Sequence, residues 1–292
     1  MTALDCAGPD LVAIVDWSAS SAKPRTRPQA DAIWIGLASA EGEETSYHPS
    51  RHLAERAILA LVDRCLAQGR TLLLGFDFPM GYPDGFAARL TGQASAAAVW
   101  DWLATAIEDG PDNRNNRFAV ASAINRRLGP PGPFWGRPES QPHPHLPTTK
   151  AVDYAALGLA ERRRVERLVP SAQPVWKLYT TGAAGGQSLM GLPLIHRLSQ
   201  RAGVAVWPFA STETPVTVAE IYPSLLAPAV RAAMFSGRIK DEVQVRLLSR
   251  ALHRLGRTGA LPALLAAPPP EARREEGWIL GAGAGALLMA AL

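Results

Sequence analysis

Three short apolar runs each end at an acidic residue, and this pattern constrains the fold more than any other feature of the chain. The runs cover residues 11–15, 71–76 and 216–219, and the acids that follow them are Asp16, Asp77 and Glu220. Short apolar runs that are rich in leucine and β-branched residues are typical of buried strands. Because open α/β sheets bind ligands at the carboxyl ends of their strands, we expect the three acids to lie at one edge of a sheet.

Carboxylates that gather at one edge need a compensating charge, because they repel one another and lose hydration. A divalent cation is their usual partner, so the pattern predicts a Mg²⁺ or Mn²⁺ site. The alternative for each acid is that it caps the turn or helix after its strand. Asp241 and Glu276 stand in predicted helices and are further candidate ligands, with a favourable place in a helix's first turn as their alternative.

The composition is that of a globular protein, since hydrophobic residues make up 47% of 292 positions and charged residues only 19%, which excludes disorder as the main theme. The net charge of +4 permits a nucleic acid or nucleotide partner, but the basic residues are scattered along the chain. No apolar stretch reaches the length of a membrane span, so we expect no membrane partner. Cys6 and Cys65 lack metal-ligand spacing, and residues 1–5 lack signal-peptide features. We therefore expect a cytoplasmic protein with reduced thiols.

The order of predicted elements indicates a mixed α/β sheet rather than a doubly wound one. The strands are expected near residues 11–16, 32–37, 45–48, 71–77, 204–209 and 216–221. The helices are expected near residues 51–68, 94–108, 151–168, 187–202, 224–235, 241–255 and 278–292. Three strands thus precede the first helix, and the next strand follows that helix directly.

A long insertion interrupts this pattern after the fourth predicted strand. Residues 130–149 contain seven prolines, which cannot continue a helix or a central strand, so this segment must lie on the surface or wrap over another part of the protein. Long irregular segments inside a compact domain are usually functional or mobile. We predict a single domain over residues 1–292, with a Pro-rich helical and loop insertion that forms a cap over approximately residues 80–200.

Polar side chains of this insertion are candidates for binding a substrate phosphate, and they are Arg117, Arg126, Lys177 and Gln187. Arginine forms strong paired hydrogen bonds with phosphate, although the alternative for the Asn-rich loop 113–117 is a polar surface turn. The glycine-rich loop 182–186 leads into a predicted helix, whose backbone N–H groups could hold an anion. Its alternative is a flexible connector.

Tryptophans next to polar motifs suggest a platform on which a nucleic-acid base could stack. Trp17 follows Asp16 directly, and Trp135 lies in the Pro-rich segment. Burial in the hydrophobic core is the alternative for both. Nucleophilic catalysis has little support, because the chain has no Gly-x-Ser-x-Gly elbow and neither cysteine has a histidine partner by motif.

Four short motifs together resemble a known family. They are Val15–Ser20, Gly75–Pro79, Glu220–Pro223 and Lys240–Asp241. This set is similar to the family of predicted nucleases with an RNase H-like fold, catalogued as a domain of unknown function and related in architecture to Holliday-junction resolvases. The resemblance implies an RNase H-like mixed sheet flanked by helices. One departure is that family members usually carry an Asp-rich pair in the final helix, where this chain has Glu275 and Glu276.

The motifs and the resemblance favour a metal-dependent nuclease or phosphohydrolase that acts on a nucleic acid or nucleotide phosphodiester. Asp16, Asp77 and Glu220 would hold Mg²⁺ or Mn²⁺, and Asp241 or Glu276 would complete the set. Two alternatives stay open. One is a phosphotransferase related to actin or the sugar kinases, with nucleotide at loop 180–186, and the other is a non-catalytic ligand-binding or scaffold protein.

Overall fold

Six strands form one mixed sheet in the computed structural model, which describes residues 8–235 and 237–292. They are β1 (Leu11–Asp16), β2 (Ile33–Ser39), β3 (Gly42–His48), β4 (Leu72–Phe76), β5 (Val204–Trp207) and β6 (Val216–Glu220). Their order across the sheet is β3-β2-β1-β4-β6-β5. The first three strands pair antiparallel, and the pairs β1–β4, β4–β6 and β6–β5 are parallel. The predicted α/β class is confirmed, whereas Cys6 and residues 1–5 lie outside the described residues.

Helices cover both faces of the sheet. Within the described residues they are α1 (Arg51–Ala67), α2 (Phe86–Thr91), α3 (Ala96–Ala106), α4 (Arg117–Leu128), α5 (Arg164–Leu168), α6 (Gly185–Ser199), α7 (Ala227–Ala233), α8 (Lys240–Arg257), α9 (Leu261–Leu264) and α10 (Gly285–Ala290). Alternate residues of β1 point to opposite faces, so Ala13 packs with the core beside α1 and α6, and Ile14 packs with the core beside α8. This two-sided burial explains why the central strands are continuously apolar.

Helix α8 lies close against β2 because β2 has a glycine at the contact. A methyl group added to Gly36 would lie 2.6 Å from the carbonyl carbon and oxygen of Val245 in α8. The backbones therefore approach more closely than any side chain would allow. This contact sets the depth at which α8 sits on the sheet, and the first turn of α8 carries Asp241.

The insertion between β4 and β5 contains α2 to α6, but one predicted helix within it is wrong. The expectation was a helix over residues 151–168, whereas only Arg164–Leu168 is helical. The chain before it forms turns, in which the Asp153 side chain accepts a hydrogen bond from the Ala156 N–H at 3.0 Å. Gly158 then adopts a left-handed backbone with φ of 66°, which a continuous helix cannot contain.

The carboxyl-terminal segment is also less helical than predicted. A helix was expected over residues 278–292, whereas α10 covers only Gly285–Ala290. Gly281 and Gly283 have φ values of 80° and 79°, and these left-handed residues delay the helix. The Leu280 N–H instead donates to the Glu220 carbonyl at 2.8 Å, so this segment extends the sheet's hydrogen bonding past the end of β6. No helix in the described ranges is both long and apolar enough to cross a membrane.

Replacing Gly36 with alanine should destabilise the protein by about 1–3 kcal/mol, because the new methyl group pushes α8 away from β2. Urea unfolding of the purified variant measures this change. Gly285→Ala is the matched control, because a methyl group there would lie 3.7 Å from the Leu225 carbonyl oxygen, at an ordinary contact distance. Equal midpoints for Gly36→Ala and Gly285→Ala would show that the close approach of α8 does not control stability.

Candidate functional site

Asp16 and Asp77 lie side by side at the carboxyl edge of the two central strands. Val15 of β1 is in register with Phe76 of β4, so the residues that follow them leave the sheet together. The Asp77 N–H donates to the Val15 carbonyl at 3.2 Å, and the Trp17 N–H donates to Asp77 Oδ1 at 2.7 Å. The parallel pairing therefore places the two carboxylates together, as the strand-end pattern predicts.

Asp241 approaches Asp16 and Asp77 from helix α8. It stands in the first turn of α8, and its Oδ2 accepts a hydrogen bond from the Asp31 N–H at 3.0 Å. Its negative charge reaches both Asp16 and Asp77, because it contributes to raising the pKa of each. Asp16, Asp77 and Asp241 are called the aspartate cluster below, and all three side chains are partly accessible to solvent.

The pKa values of all three aspartates in the cluster are raised. Burial raises the pKa of Asp16 well above its usual value, and the charges of Asp77 and Asp241 raise it further. Burial raises the pKa of Asp77 to about 7, against the opposing effect of the hydrogen bond from Trp17. Burial also raises the pKa of Asp241. The cluster is therefore short of positive charge, a state that a bound cation would relieve.

The donors of the cluster fit a hard divalent cation, since all of them are carboxylate oxygens. Across residues 8–235 and 237–292, no group of three His, Cys, Asp or Glu side chains is already arranged to hold a metal ion. Binding at the aspartate cluster would therefore require the carboxylates to turn toward the ion. Two observations favour such an ion. The pKa values of Asp16 and Asp77 are raised, and neither residue has a basic partner among the ion pairs of the described chain.

Glu220 ends β6 as predicted, but its charge is already balanced. Arg163 donates from Nη2 to Oε1 at 2.6 Å and from Nη1 to Oε2 at 2.8 Å. The Met80 N–H donates to Oε2 at 3.1 Å, and Glu220 is only 2% exposed. Both carboxylate oxygens are therefore used by the protein itself. The prediction that Glu220 shares a cation with Asp16 and Asp77 therefore gains no support from its contacts.

Glu276 is likewise bound to arginine rather than placed beside the aspartate cluster. The Arg164 N–H donates to Oε2 at 2.8 Å, and Arg164 Nη1 lies 2.9 Å from Oε1. The Glu276 carbonyl also accepts from Arg163 Nη1 at 2.8 Å. The prediction that Glu276 completes the metal ligands likewise gains no support, because both of its carboxylate oxygens bind Arg164.

Arg163 is the centre of this second group of charges, and burial of its guanidinium is nearly complete. Its Nε donates to Glu166 Oε1 at 2.8 Å in addition to its bonds with Glu220. Burial acts to lower the pKa of Arg163, but the charges of Glu220 and Glu166 outweigh it and hold the pKa above its ordinary value. We call Arg163, Arg164, Glu166, Glu220 and Glu276 the arginine cluster. The two arginines of this cluster stand in the basic run Arg162–Arg164 of the sequence.

Two of the predicted substrate-binding residues lie against the loop that follows Asp16. Gln187, in the first turn of α6, donates from Nε2 to the Trp17 carbonyl at 2.5 Å. Arg117, at the start of α4, donates from Nη1 to Ser21 Oγ at 2.9 Å. The structure therefore brings parts of the insertion, which are distant in sequence, to the aspartate edge of the sheet.

The other two predicted substrate-binding residues lie elsewhere. Lys177 donates from Nζ to the Thr181 carbonyl at 2.9 Å and stands 6.0 Å from the ring centre of Trp135, so it braces the loop before α6. Arg126 is exposed on α4 and makes no hydrogen bond or ion pair with any residue that the structure describes. The structure does not bring Arg126 to the aspartate cluster.

Arg51 positions the loop after Asp16 and was missed at the sequence level. Its Nη1 donates to the carbonyls of Ser18 and Ser20 at 3.1 and 2.7 Å. Its Nε and Nη2 bind the two oxygens of Asp109 at 2.7 and 2.6 Å, and its Nη2 also donates to the Asn113 carbonyl at 2.8 Å. One buried guanidinium thus ties the loop to the insertion. No motif marks Arg51, because its partners are brought to it by the fold.

Trp17 is not a surface for base stacking. It is 2% exposed and packs edge-on against Phe76 at 6.3 Å between ring centres. The core alternative considered for this residue therefore applies. Trp135 is partly exposed, and the Lys177 ammonium lies over its ring.

Comparisons with known proteins give no assignment for the chain. No protein-family model matches it, and neither a curated protein nor a solved structure matches it. The fold and the site together define an α/β protein with a cluster of partly accessible carboxylates at the carboxyl edge of its central parallel strands. Its function therefore has to be argued from the aspartate cluster and its surroundings.

Without added metal, Asp77→Asn should stabilise the protein at pH 8 and leave stability nearly unchanged at pH 4. The folded-state pKa of Asp77, about 7, exceeds the ordinary value of 3.8, so wild-type stability falls as pH rises through that window. Asparagine keeps the acceptor for Trp17 but carries no charge, so we expect a gain of about 1–2 kcal/mol at pH 8. Chemical unfolding in EDTA at both pH values measures it. A gain of the same size from Asp101→Asn, at an exposed position of α3, would contradict this account.

Glu220→Gln should destabilise the protein by about 3–5 kcal/mol, because it leaves the buried Arg163 without one of its charged partners. Glu55→Gln is the matched control. Glu55 also binds an arginine through both oxygens, at 2.6 and 2.8 Å from Arg197, but at the surface, so its loss should cost less than about 1 kcal/mol. Thermal melting with and without Mn²⁺ separates the two roles of Glu220. Normal stability with a lost response to Mn²⁺ would return Glu220 to the metal ligands.

Proposed function

We propose that this protein is a metal-dependent hydrolase that cleaves a phosphodiester or related phosphate bond in a nucleic acid or nucleotide. The aspartate cluster is the single observation that carries the proposal. Its carboxylates come from three separate parts of the chain, and burial and mutual repulsion raise their pKa values. Such an arrangement costs folding free energy and is expected at a site where function requires it.

The positions of these acids also support an RNase H-like fold, which we propose on the resemblance. Asp16 ends the first strand, Asp77 follows the fourth strand, and Asp241 begins a late helix that packs on the same sheet. These are three of the four motifs that resemble the predicted nuclease family. The fourth motif begins at Glu220, whose pairing with Arg163 leaves the aspartates as the proposed ligands.

The chain's own residues would hold Mg²⁺ or Mn²⁺ through Asp16, Asp77 and Asp241. When bound, such an ion supplies a polarised phosphate oxygen and a water of lowered pKa. Since the pKa of Asp77 lies near 7 without metal, its carboxylate must release a proton when it becomes a ligand. Ion affinity is therefore expected to rise between pH 6 and 8, and hydrolysis to rise with it.

The arginine cluster removes Glu220 from the proposed cation ligands. Two-ion phosphate chemistry uses several carboxylates around a pair of ions. Here the Glu220 carboxylate is neutralised by Arg163, and both side chains are almost completely buried. The substrate cannot reach this guanidinium, so its role is to hold β6 and residues 163–166 together. Asp16, Asp77 and Asp241 remain as the proposed ligands.

Asp16→Asn should remove hydrolysis, with a loss of at least about 100-fold, while the fold is kept. The assay uses bis(p-nitrophenyl) phosphate and labelled single-stranded DNA and RNA oligonucleotides, each with Mg²⁺ or Mn²⁺. Thermal melting provides a second measurement, because a ligand that binds only the folded state raises Tm. Mn²⁺ should raise the Tm of wild type and of Asp101→Asn, but not that of Asp16→Asn.

Three outcomes would count against the hydrolase. Wild-type rates in Asp16→Asn would remove this residue from the reaction. Stabilisation by ATP without hydrolysis of any phosphodiester would instead favour the phosphotransferase alternative. A protein that neither responds to Mn²⁺ nor hydrolyses these substrates would leave the non-catalytic alternative.

A further inference from the structure

Arg117 is a buried cation without a carboxylate partner in the described part of the chain. It is 8% exposed, and its Nη1 binds two neutral groups, Ser21 Oγ at 2.9 Å and Asn115 Oδ1 at 2.8 Å. Its Nε is buried and has no hydrogen-bond partner among the described residues. Buried charges in proteins are normally paired, and an unpaired one is costly. The guanidinium also lies over the Phe118 ring, 4.3 Å from the ring centre, which stabilises part of its charge. A missing anion would account for the rest.

The charges around Arg117 do not supply that anion. Asp109 is the carboxylate whose charge acts on Arg117, but Arg51 binds both Asp109 oxygens at 2.6 and 2.7 Å. The two arginines and one aspartate therefore leave an excess of positive charge. Burial lowers the pKa of Arg117 to about 10, and the charge of Arg51 contributes to the shift. The guanidinium therefore stays charged at neutral pH although its burial disfavours the charge.

The amino terminus of α6 faces the same place. A methyl group added to Gly186 would lie 3.7 Å from Arg117 Nε, 3.4 Å from Ala19 Cβ and 2.8 Å from the Leu178 carbonyl oxygen. The Gly185 N–H donates to the Lys177 carbonyl, whereas the N–H groups of Gly186 and Gln187 have no hydrogen-bond acceptor among the described residues. Helix α6 is 15 residues long, so its amino terminus carries an appreciable positive partial charge.

We propose that Arg117 Nε and the N–H groups of Gly186 and Gln187 bind a phosphate group of the substrate other than the one that is hydrolysed. Arginine and a helix amino terminus are the two groups that proteins most often combine for phosphate. Glycine at position 186 lets the helix backbone approach the guanidinium, because a methyl group there would lie only 2.8 Å from the Leu178 carbonyl oxygen.

This phosphate subsite lies beside the aspartate cluster. Gln187 contributes its N–H to the subsite and donates from Nε2 to the Trp17 carbonyl at 2.5 Å. Trp17 in turn follows Asp16 and donates its own N–H to Asp77. The inference rests on the proposed function for the identity of the ligand, and it narrows the substrate class. The substrate carries at least two phosphate groups, as a nucleic-acid strand does, and is not a simple phosphate monoester.

The test measures binding of inorganic phosphate to the metal-free protein by titration calorimetry and thermal melting, at ionic strength matched with chloride. Wild type should bind phosphate and gain Tm. Arg117→Gln should bind at least about 10-fold more weakly, since a charged donor is lost. Arg127→Gln is the matched control, because Arg127 is an exposed residue of the same helix α4, and it should bind as wild type does.

A second variant keeps the test valid if Arg117→Gln does not fold. Arg117→Lys retains the charge but cannot present Nε and Nη1 together, so its phosphate affinity should fall by at least about 3-fold. Equal phosphate binding in wild type and the Arg117 variants, or no binding by wild type, would overturn the subsite. Asp16→Asn should bind phosphate normally. If phosphate binding follows Arg117 but no phosphodiester is hydrolysed, the subsite stands and the hydrolase proposal fails.

Discussion

Repulsion among the carboxylates of Asp16, Asp77 and Asp241 is the constraint on which this account depends. The fold imposes it in two ways. The in-phase parallel pairing of β1 with β4 sends Asp16 and Asp77 out of the sheet together. The close contact of α8 with Gly36 brings Asp241 over the same edge. Each of these contacts also buries apolar surface, so the stability of the core holds the three charges in a place that they disfavour.

Charged residues near this edge of the sheet differ in their burial and in their charge partners. This difference separates structural from functional residues. Glu220 is buried and paired with Arg163 through both carboxylate oxygens, so neither oxygen is free to bind a ligand. The aspartates are partly accessible and lack a basic partner among the described ion pairs. Arg117 is the reverse case, a buried cation beside a helix amino terminus. A substrate that brings phosphate together with a divalent cation would balance both deficits at once.

The sequence predicted the strands, the mixed sheet and the positions of Asp16 and Asp77, because apolar runs and their ends are local properties of the chain. It could not predict that Glu220 is neutralised, because its partner Arg163 stands 57 residues earlier in the chain. Gly158 sits in a helix-like stretch, and its left-handed backbone became visible only in the fold. Long-range charge pairing and local exceptions to helical pattern are properties of tertiary structure, and one sequence does not contain them explicitly.

The most direct test of the central claim is a crystal structure of the protein soaked with Mn²⁺, with the metal located by its anomalous scattering. The account predicts one ion bound by Asp16, Asp77 and Asp241, with carboxylates turned toward it and with the Glu220–Arg163 pair unchanged. Manganese bound elsewhere at a pH above 8, with the three aspartate side chains not turned toward an ion, would contradict this prediction. In that case the hydrolase would lose its site.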